Sequence, residues 1–326
     1  MKRREIAVVA GGNSSEYEVS LRSGVGIVEW IDRERYRPWL VLMRAKFWEV
    51  LLPDGSRRAV DKGSFSFEAD EGLIRFDLAY ITIHGTPGEN GLLQGYFELM
   101  GIPYTGCGVL ASALSFNKFT CNTYLRAFGV QVAESLALRR GQTIGPDEVA
   151  ARVGFPCFVK PNVGGSSFGV SKVSHAEDLQ QAIERAFAEG EEVIIEAFVS
   201  GRELTCGIFH AKGRNTLLPI TEVRSHNEFF DYRAKYHGEV EEITPAPIDE
   251  SLKLRIHSLT EAIYSILGCR GIVRADYILA PSGSITLLEV NTTPGMTPTS
   301  FIPQQVAAAG LSMTEVLTEL IEEVNN

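Results

Sequence analysis

The chain lacks the features that would carry it to a membrane or to nucleic acid. None of its apolar runs exceeds the length of a strand, so no membrane span is expected. Its 31 Lys and Arg are outnumbered by 41 Asp and Glu, and a net charge of −10 argues against a nucleic-acid partner, which would select basic faces. The five cysteines (Cys107, Cys121, Cys157, Cys206 and Cys269) are odd in number, scattered and without metal-ligand spacing, as expected of buried free thiols in a reducing compartment. The basic residues at 2–4 are followed by only five apolar residues before Gly11, too few for a secretory core, so a cytoplasmic location is expected. Internal repeats and low-complexity runs are missing as well.

Two common phosphate-binding signatures are also absent. Residues 6–10 read as a buried strand running into Gly11-Gly12-Asn13-Ser14-Ser15-Glu16 and then a helix over 18–31, the usual opening of an α/β domain. The turn has neither Gly-x-Gly-x-x-Gly nor Gly-Lys-Ser/Thr, which disfavours a dehydrogenase or a P-loop enzyme. At 326 residues the chain exceeds one hydrophobic core, so two or three domains are expected.

What is present concentrates at 271–300. Two β-branched runs flank a Pro/Ser/Gly turn, which predicts an antiparallel hairpin. A four-residue loop at 281–284 would set Asp276 opposite Glu289 and Arg274 opposite Asn291, with Arg274 and Asp276 on one face of their strand. Opposed carboxylates repel unless a cation lies between them, and an all-oxygen set of Asp276, Glu289 and Asn291 suits Mg2+ or Mn2+. Such ions take further oxygens from phosphates, so a nucleotide is implied.

Other segments supply complementary chemistry. A strand over 77–84 ends at His84 and a polar glycine loop; alone, His84 would read as a satisfied core histidine, but its place at a loop mouth makes it a site candidate. Helical segments span 110–128, with Lys118 inside the first. A strand over 155–160 ends in Lys160 and enters Pro161-Asn-Val-Gly-Gly-Ser-Ser-Phe-Gly169, whose backbone N–H groups and hydroxyls suit phosphate oxygens. A strand over 192–199 leads to strands near 204–210 and 217–223, with Glu196 and Glu203 flanking the crossing. The polar, aromatic stretch 225–238 reads as a lid loop. Helices over 250–267 and from about 313 complete the expected elements.

Taken in order, these motifs resemble a D-alanine:D-alanine ligase of the ATP-grasp superfamily. The resemblance runs along the whole chain: Gly-Gly-x-Ser-x-Glu-x-x-Val-Ser at 11–20, His-Gly-x-x-Gly-Glu-x-Gly at 84–91, the 160–169 loop, Asp-Tyr-x-Ala-Lys-Tyr at 231–236, Arg-x-Asp at 274–276 and Glu-x-Asn-x-x-Pro-Gly-Met-Thr at 289–297. It implies a mixed α/β, three-domain ATP-grasp fold: an open N-terminal α/β sheet domain at 1–105, a central subdomain at 106–200, and a C-terminal subdomain at 201–326 holding the lid loop 225–238 and the metal hairpin 272–291.

The resemblance further implies ATP as co-substrate, two Mg2+ or Mn2+ ions on Asp276, Glu289 and Asn291, two D-alanines as substrates, a homodimer and a role in peptidoglycan precursor synthesis. Lys118, Lys160 and Lys235 would contact phosphates, with Ser167 and Val199 also at the nucleotide, and Glu196 and Glu203 would recognise adenine and ribose. Glu16 would receive the first D-alanine's ammonium within a trio with Ser166 and Tyr236. Arg274 and the backbone at Gly295 would stabilise the reacting carboxylate, with His84, Ser300 and Phe301 around the substrates and Ser300 taking the second carboxylate. Asn90 and Phe301 stand where the family commonly has Asp and Leu. D-alanine:D-lactate ligases and general dipeptide ligases are the nearest alternatives; a non-catalytic nucleotide-binding module would be expected to have lost Arg274 or a metal ligand.

Overall fold

A computed structural model of the chain describes residues 3–165, 168–225 and 240–324; for residues 225 and 240 it describes the backbone alone. The N-terminal part forms a five-stranded sheet. Strand β1 (Arg4–Gly11) is buried along nearly its whole length, as a parallel strand covered on both faces must be, and helix α1 (Tyr17–Trp30) returns the chain to β2 (Tyr36–Arg44), parallel to it. Strands β3 (Phe47–Leu51) and β4 (Arg57–Ala59) continue antiparallel, while a small hairpin of β5 (Ser66–Ala69) and β6 (Gly72–Arg75) precedes β7 (Leu78–Ile81). The sheet order is β4-β3-β2-β1-β7, and α2 (Leu92–Met100) follows.

Helices α3 (Val109–Phe116) and α4 (Lys118–Arg126) lead to a four-stranded sheet of order β10-β9-β11-β8. Its strands are β8 (Ser135–Arg139), β9 (Cys157–Pro161), β10 (Ser171–Val173) and β11 (Glu192–Ala197), with α5 (Pro146–Arg152) and α6 (Leu179–Phe187) on it. Helix α6 buries Leu179, Ala182, Ile183 and Ala186, the i, i+3, i+4, i+7 stripe of a helix lying on a sheet.

The third sheet has the order β15-β14-β12-β16-β17, with β13 also paired to β12. It comprises β12 (Arg202–Ala211), β13 (Arg214–Leu217), β14 (Thr221–Ser225), β15 (Val240–Ile243), β16 (Ile272–Leu279) and β17 (Ile285–Asn291). Helix α7 (Glu250–Ile266) starts at Asp249, whose carboxylate accepts from the Leu252 N–H at 2.8 Å. Helices α8 (Phe301–Ala308) and α9 (Met313–Glu323) close the chain, the latter opened by a Ser312/Glu315 capping box. Cores cross between the sheets: residues of α3 and α4 join the core of the third sheet, and residues of α9 join that of the first.

Several expectations shift. The helical stretch 110–128 is broken at Asn117, which caps α4 by accepting from the Thr120 N–H, so Lys118 opens the second helix instead of lying inside the first. The strand expected over 217–223 is two strands, with Pro219 between them removing a ladder donor. The pairing of Asp276 with Glu289 and of Arg274 with Asn291 is as expected, but the turn is not. Ala280 pairs with Ser284, Tyr277 opposes Leu287, and a bulge at Leu288 restores the register at the site. Without the bulge, Leu287 and Glu289 would share a face. With it, Leu287 enters the core and Glu289 faces a cavity.

The third sheet is tied to α8 by one fully buried amide. Gln305 Oε1 accepts from the Gly207 N–H at 3.0 Å, and Nε2 donates to Thr205 O and Thr221 Oγ1, each at 3.1 Å. Gln305→Leu leaves the Gly207 N–H unpaired and is expected to cost about 1–3 kcal/mol. Urea unfolding should show a lower midpoint at unchanged slope; a loss under ~0.5 kcal/mol would mean that this amide is not a tie.

Candidate active site

Two cavities, of about 980 and 710 Å3, share a wall that includes Glu16, Lys118, Arg274, Glu289 and Phe301. The larger lies between the second and third sheets and also touches Lys160, Glu196, Val199, Glu203 and Asp276. The smaller lies toward the first sheet and touches His84, Asn291, Gly295 and Ser300. The described residues predicted for the site therefore line one or both halves of a continuous region. Ser166, Ser167, Lys235 and Tyr236 lie outside the described residues, as does nearly all of the expected lid loop.

On the hairpin, Arg274 grips Asp276 with two parallel bonds, Nε to Oδ1 and Nη2 to Oδ2, each 2.8 Å. Thr205 Oγ1 donates to Asp276 Oδ1 at 2.6 Å, and Asn291 Nδ2 donates to Asp276 Oδ2 at 3.0 Å and to Glu289 Oε1 at 3.4 Å. Lys118 Nζ lies 3.4 Å from Glu289 Oε2. The opposed carboxylates thus have cations from within the chain, so their pairing does not by itself require a metal. Burial works against the charge on Glu289, but Lys118, Arg274 and Lys160 outweigh it and hold the carboxyl down at about 2.

The donor chemistry nevertheless fits a hard cation. Two carboxylates converge on one amide, and turning the Asn291 amide about its last torsion would present Oδ1 in place of Nδ2. Among the described residues no group of three or more His, Cys, Asp or Glu could hold a metal, and the third donor here is an asparagine.

Lys160, near the end of β9, donates to Glu196 Oε2 across the sheet at 2.6 Å. Burial disfavours its charge, but the Glu196 carboxylate overrides this and raises its pKa. Asn122 Nδ2 donates to Glu196 Oε1 at 3.4 Å. Beside them Phe158 and Phe198, with ring centroids 5.9 Å apart, give the larger cavity an apolar end, and the Lys172 ammonium lies 4.7 Å from the Phe198 ring.

The glycine loop after β9 is fastened to α4. Asn162 Oδ1 accepts from the Phe119 N–H at 2.8 Å, its carbonyl accepts from the Lys118 N–H, and Lys118 Nζ donates to Gly164 O at 2.6 Å. Gly165 meets the N-terminal turn closely: a Cβ there would lie 2.8 Å from Glu16 Oε1, so a larger residue would push the loop off that carboxylate.

Toward the first sheet, His84 Nδ1 lies 2.9 Å from Thr293 O, and Nε2 lies 3.0 Å from Ser23 Oγ. Gly295 packs against Ser300 Oγ, which accepts from the Thr297 N–H at 3.1 Å at the start of α8. The Phe301 ring lies under Arg274, 5.2 Å from the guanidinium carbon. Glu89 lies in the same cavity and accepts from the Gly85 N–H at 2.6 Å. Burial, then the Glu16 carboxylate, push its carboxyl up to about 8.

Sequence reasoning did not single out Ser23, Asn162, Glu89, Phe158 or Phe198. Of these, Glu89 was the most accessible to it, being the acid of the His-Gly-x-x-Gly-Glu-x-Gly motif.

Comparison with known proteins agrees with this geometry. Residues 5–107 match the family model of the D-ala D-ala ligase N-terminus, and residues 124–322 match that of its C-terminus. The D-alanine–D-alanine ligase of Bacteroides fragilis (strain YCH46) is 58% identical over 320 residues, 98% of this chain and 99% of the relative. Among solved structures, the VanG D-Ala:D-Ser ligase of Enterococcus faecalis superposes with a TM-score of 0.85 at 33% identity, covering 99% of this chain and 100% of that one. The D-alanine–D-alanine ligase of Bacillus anthracis complexed with ATP gives a TM-score of 0.79 at 31% identity, covering 100% and 98%. With both halves matched and a relative this similar along its length, the chain belongs to the D-alanine–D-alanine ligase family and has its ATP-grasp fold.

Proposed function

We infer that this chain uses ATP to join two D-alanines into D-alanyl-D-alanine for peptidoglycan precursor synthesis. The observation that carries the reading is the shared wall of the two cavities: Lys118 and Arg274 line both, where a nucleotide on one side would meet a small amino acid on the other. A carboxylate attacking the γ-phosphate brings anions together, so the reaction needs fixed cations at that point.

Each part of the wall has a distinct task. In the first step the carboxylate of one D-alanine attacks the γ-phosphate, giving D-alanyl phosphate and ADP. In the second the amine of the other D-alanine attacks the acyl carbon, expels phosphate and loses a proton. Asp276 holds Nε and Nη2 of Arg274, leaving Nη1 as the edge that can meet the reacting carboxylate. Glu16 can receive the ammonium of the first D-alanine. The Ser300 hydroxyl and the N–H groups of Phe301 and Ile302, the two that the first turn of α8 offers before Pro303, can meet the second carboxylate. Lys118 and Lys160 flank the phosphates. Asp276, Glu289 and Asn291 would hold the Mg2+ or Mn2+ ions, whose charge would offset that of the triphosphate. The roles of Ser166, Ser167, Lys235 and Tyr236 rest on the family resemblance, as do those of Val199, Glu196 and Glu203 toward the nucleoside.

We also propose the units 1–105, 106–200 and 201–326, supported by the three separate sheets, and a cytoplasmic homodimer. Among the described residues no helix is long and apolar enough to cross a membrane. Leu92 and Leu99, 63% and 90% exposed on α2, and Leu110, 77% exposed on the neighbouring α3, are apolar side chains that a second copy would cover.

Product analysis tests the activity. With ATP, Mg2+ and a panel of D-amino and D-hydroxy acids, mass spectrometry should find D-alanyl-D-alanine as the main product, rising from pH 6 to pH 8.5 as the attacking amine loses its proton near ~8. The panel includes D-serine because a D-Ala:D-Ser ligase is among the structural matches. Substantial depsipeptide from D-lactate at pH 6 would overturn the reading. Glu289→Gln should lower ADP formation by at least ~100-fold; a near-normal rate would remove Glu289 from the metal set.

Glu89 gives a pH dependence of stability. Folded, it keeps its proton up to about 8; unfolded, it releases it near the ordinary 4.5. Folding therefore takes up a proton between these values, and this contribution to stability is lost as pH rises through about 8. Urea unfolding should show the wild type losing stability relative to Glu89→Gln between pH 5 and pH 9. Parallel pH profiles would show that Glu89 is ionised in the folded protein at neutral pH.

A further inference from the structure

We propose that Ser23, on the buried face of α1, is a positioning residue for the loop that carries Gly295, setting the substrate-side geometry through His84. The proposal deepens the ligase reading and rests on it for its kinetic part. Ser23 is fully buried; its Oγ accepts from the Met296 N–H at 3.1 Å and lies 3.0 Å from His84 Nε2. One hydroxyl has one proton. The Met296 amide can only donate to it and takes one of its two acceptor sites, so the hydroxyl proton is left for an acceptor, and the ring nitrogen that faces it decides whether that is His84 Nε2.

The other side of the ring decides it. His84 Nδ1 lies 2.9 Å from the Thr293 carbonyl, which can only accept, so Nδ1 carries the ring proton. In the neutral ring Nε2 is then the acceptor, and the Ser23 hydroxyl donates to it. The loop is held at two points, Thr293 O and Met296 N, which bracket Pro294 and Gly295. One turn along the same helix, a Cβ at Gly26 would lie 2.7 Å from Met296 O, so bare helix backbone at this point lets the loop come close. The chain reaches this loop directly from Asn291 at the end of β17 and leaves it through Ser300 at the start of α8. Displacing it therefore moves the groups that meet the D-alanines, while the Phe158 and Phe198 end of the nucleotide cavity stays in place.

Without the hydroxyl, Met296 N–H and His84 Nε2 both lose their partner, and only the Thr293 bond is left to hold the loop to the ring. Misplacement on the scale of an ångström lowers rates by roughly 100-fold. Ser23→Ala should lower kcat/KM for D-alanine by roughly 10- to 100-fold while leaving the KM for ATP and the affinity for a non-hydrolysable ATP analogue within about two-fold. Ser23→Thr, which keeps the hydroxyl, should recover most of the loss.

Nitrogen NMR of 15N-histidine-labelled protein supplies a readout independent of turnover. His84 should show the Nδ1–H tautomer in the wild type and, in Ser23→Ala, a shifted Nε2 resonance where that nitrogen has lost its donor. An Nε2–H signal in the wild type would overturn the proposal, as would a folded, ATP-binding Ser23→Ala with unchanged D-alanine kinetics. Failure of the wild type to make dipeptide would instead overturn the ligase reading and leave the tautomer assignment standing.

Discussion

Buried negative charge has to be balanced inside the chain, and that requirement organises this protein. Asp276 and Glu289 sit opposite one another on neighbouring strands, where two carboxylates would otherwise repel. Their counter-charges come from different places: Arg274 from the same hairpin, Lys118 from the start of α4, and Lys160 from β9 of the second sheet, which is itself paired with Glu196. Arg274–Asp276 closes within one strand and Lys160–Glu196 within one sheet, while Lys118 and Glu289 bring α4 and the hairpin together beside the gap between the second and third sheets. Apolar side chains cannot fill that gap without stranding the charges. The cavity between the sheets is lined by Lys118, Lys160 and Arg274 together with the carboxylates they balance.

The same logic joins the two halves of the site. Glu16 and Glu89 are held near one another on the first sheet's side, and burial, then the Glu16 carboxylate, keep a proton on Glu89 against the pull of Lys118. The larger cavity thus meets its buried carboxylates with Lys and Arg, whereas the smaller also holds an acid that keeps its proton. In the proposed reaction the phosphates would lie in the first and the substrate ammonium in the second. Polarity across the shared wall gives the region its direction.

Much of this was legible because alternation along strands is a strong signal. Arg274, Asp276, Glu289 and Asn291 stand out against Val, Ile and Leu, and the faces they share follow from the two-residue period. Helix α2 and α7 were legible from their apolar spacing and Gly or Asp boundaries. The break at Asn117 had a capping signal that a long helical run concealed, and α8 was hidden by Pro303 although Ser300 marks its start. Neutral hydrogen-bonding residues were the hardest to read. Ser23, Asn162 and Gln305 act by joining segments far apart in sequence, and nothing local distinguishes them from surface polar residues. Charge declares itself in a sequence, whereas a buried amide or hydroxyl declares itself only when its partner is in view.

The bulge at Leu288 separates two jobs that one strand would otherwise have to share. On the turn side, Ile285 and Leu287 serve the apolar core; beyond it, Glu289 and Asn291 serve the cavity. Because a strand's side chains alternate strictly, an even spacing cannot place Leu287 and Glu289 on opposite faces unless one residue is taken out of the count. The residue at 288 is therefore a spacer that the alternation does not count. Taking it out would leave Leu287 and Glu289 adjacent, still on opposite faces and still opposite Tyr277 and Asp276. What its presence adds is the local bend and twist that a bulge gives a strand, set where the core half of the hairpin ends and the cavity half begins.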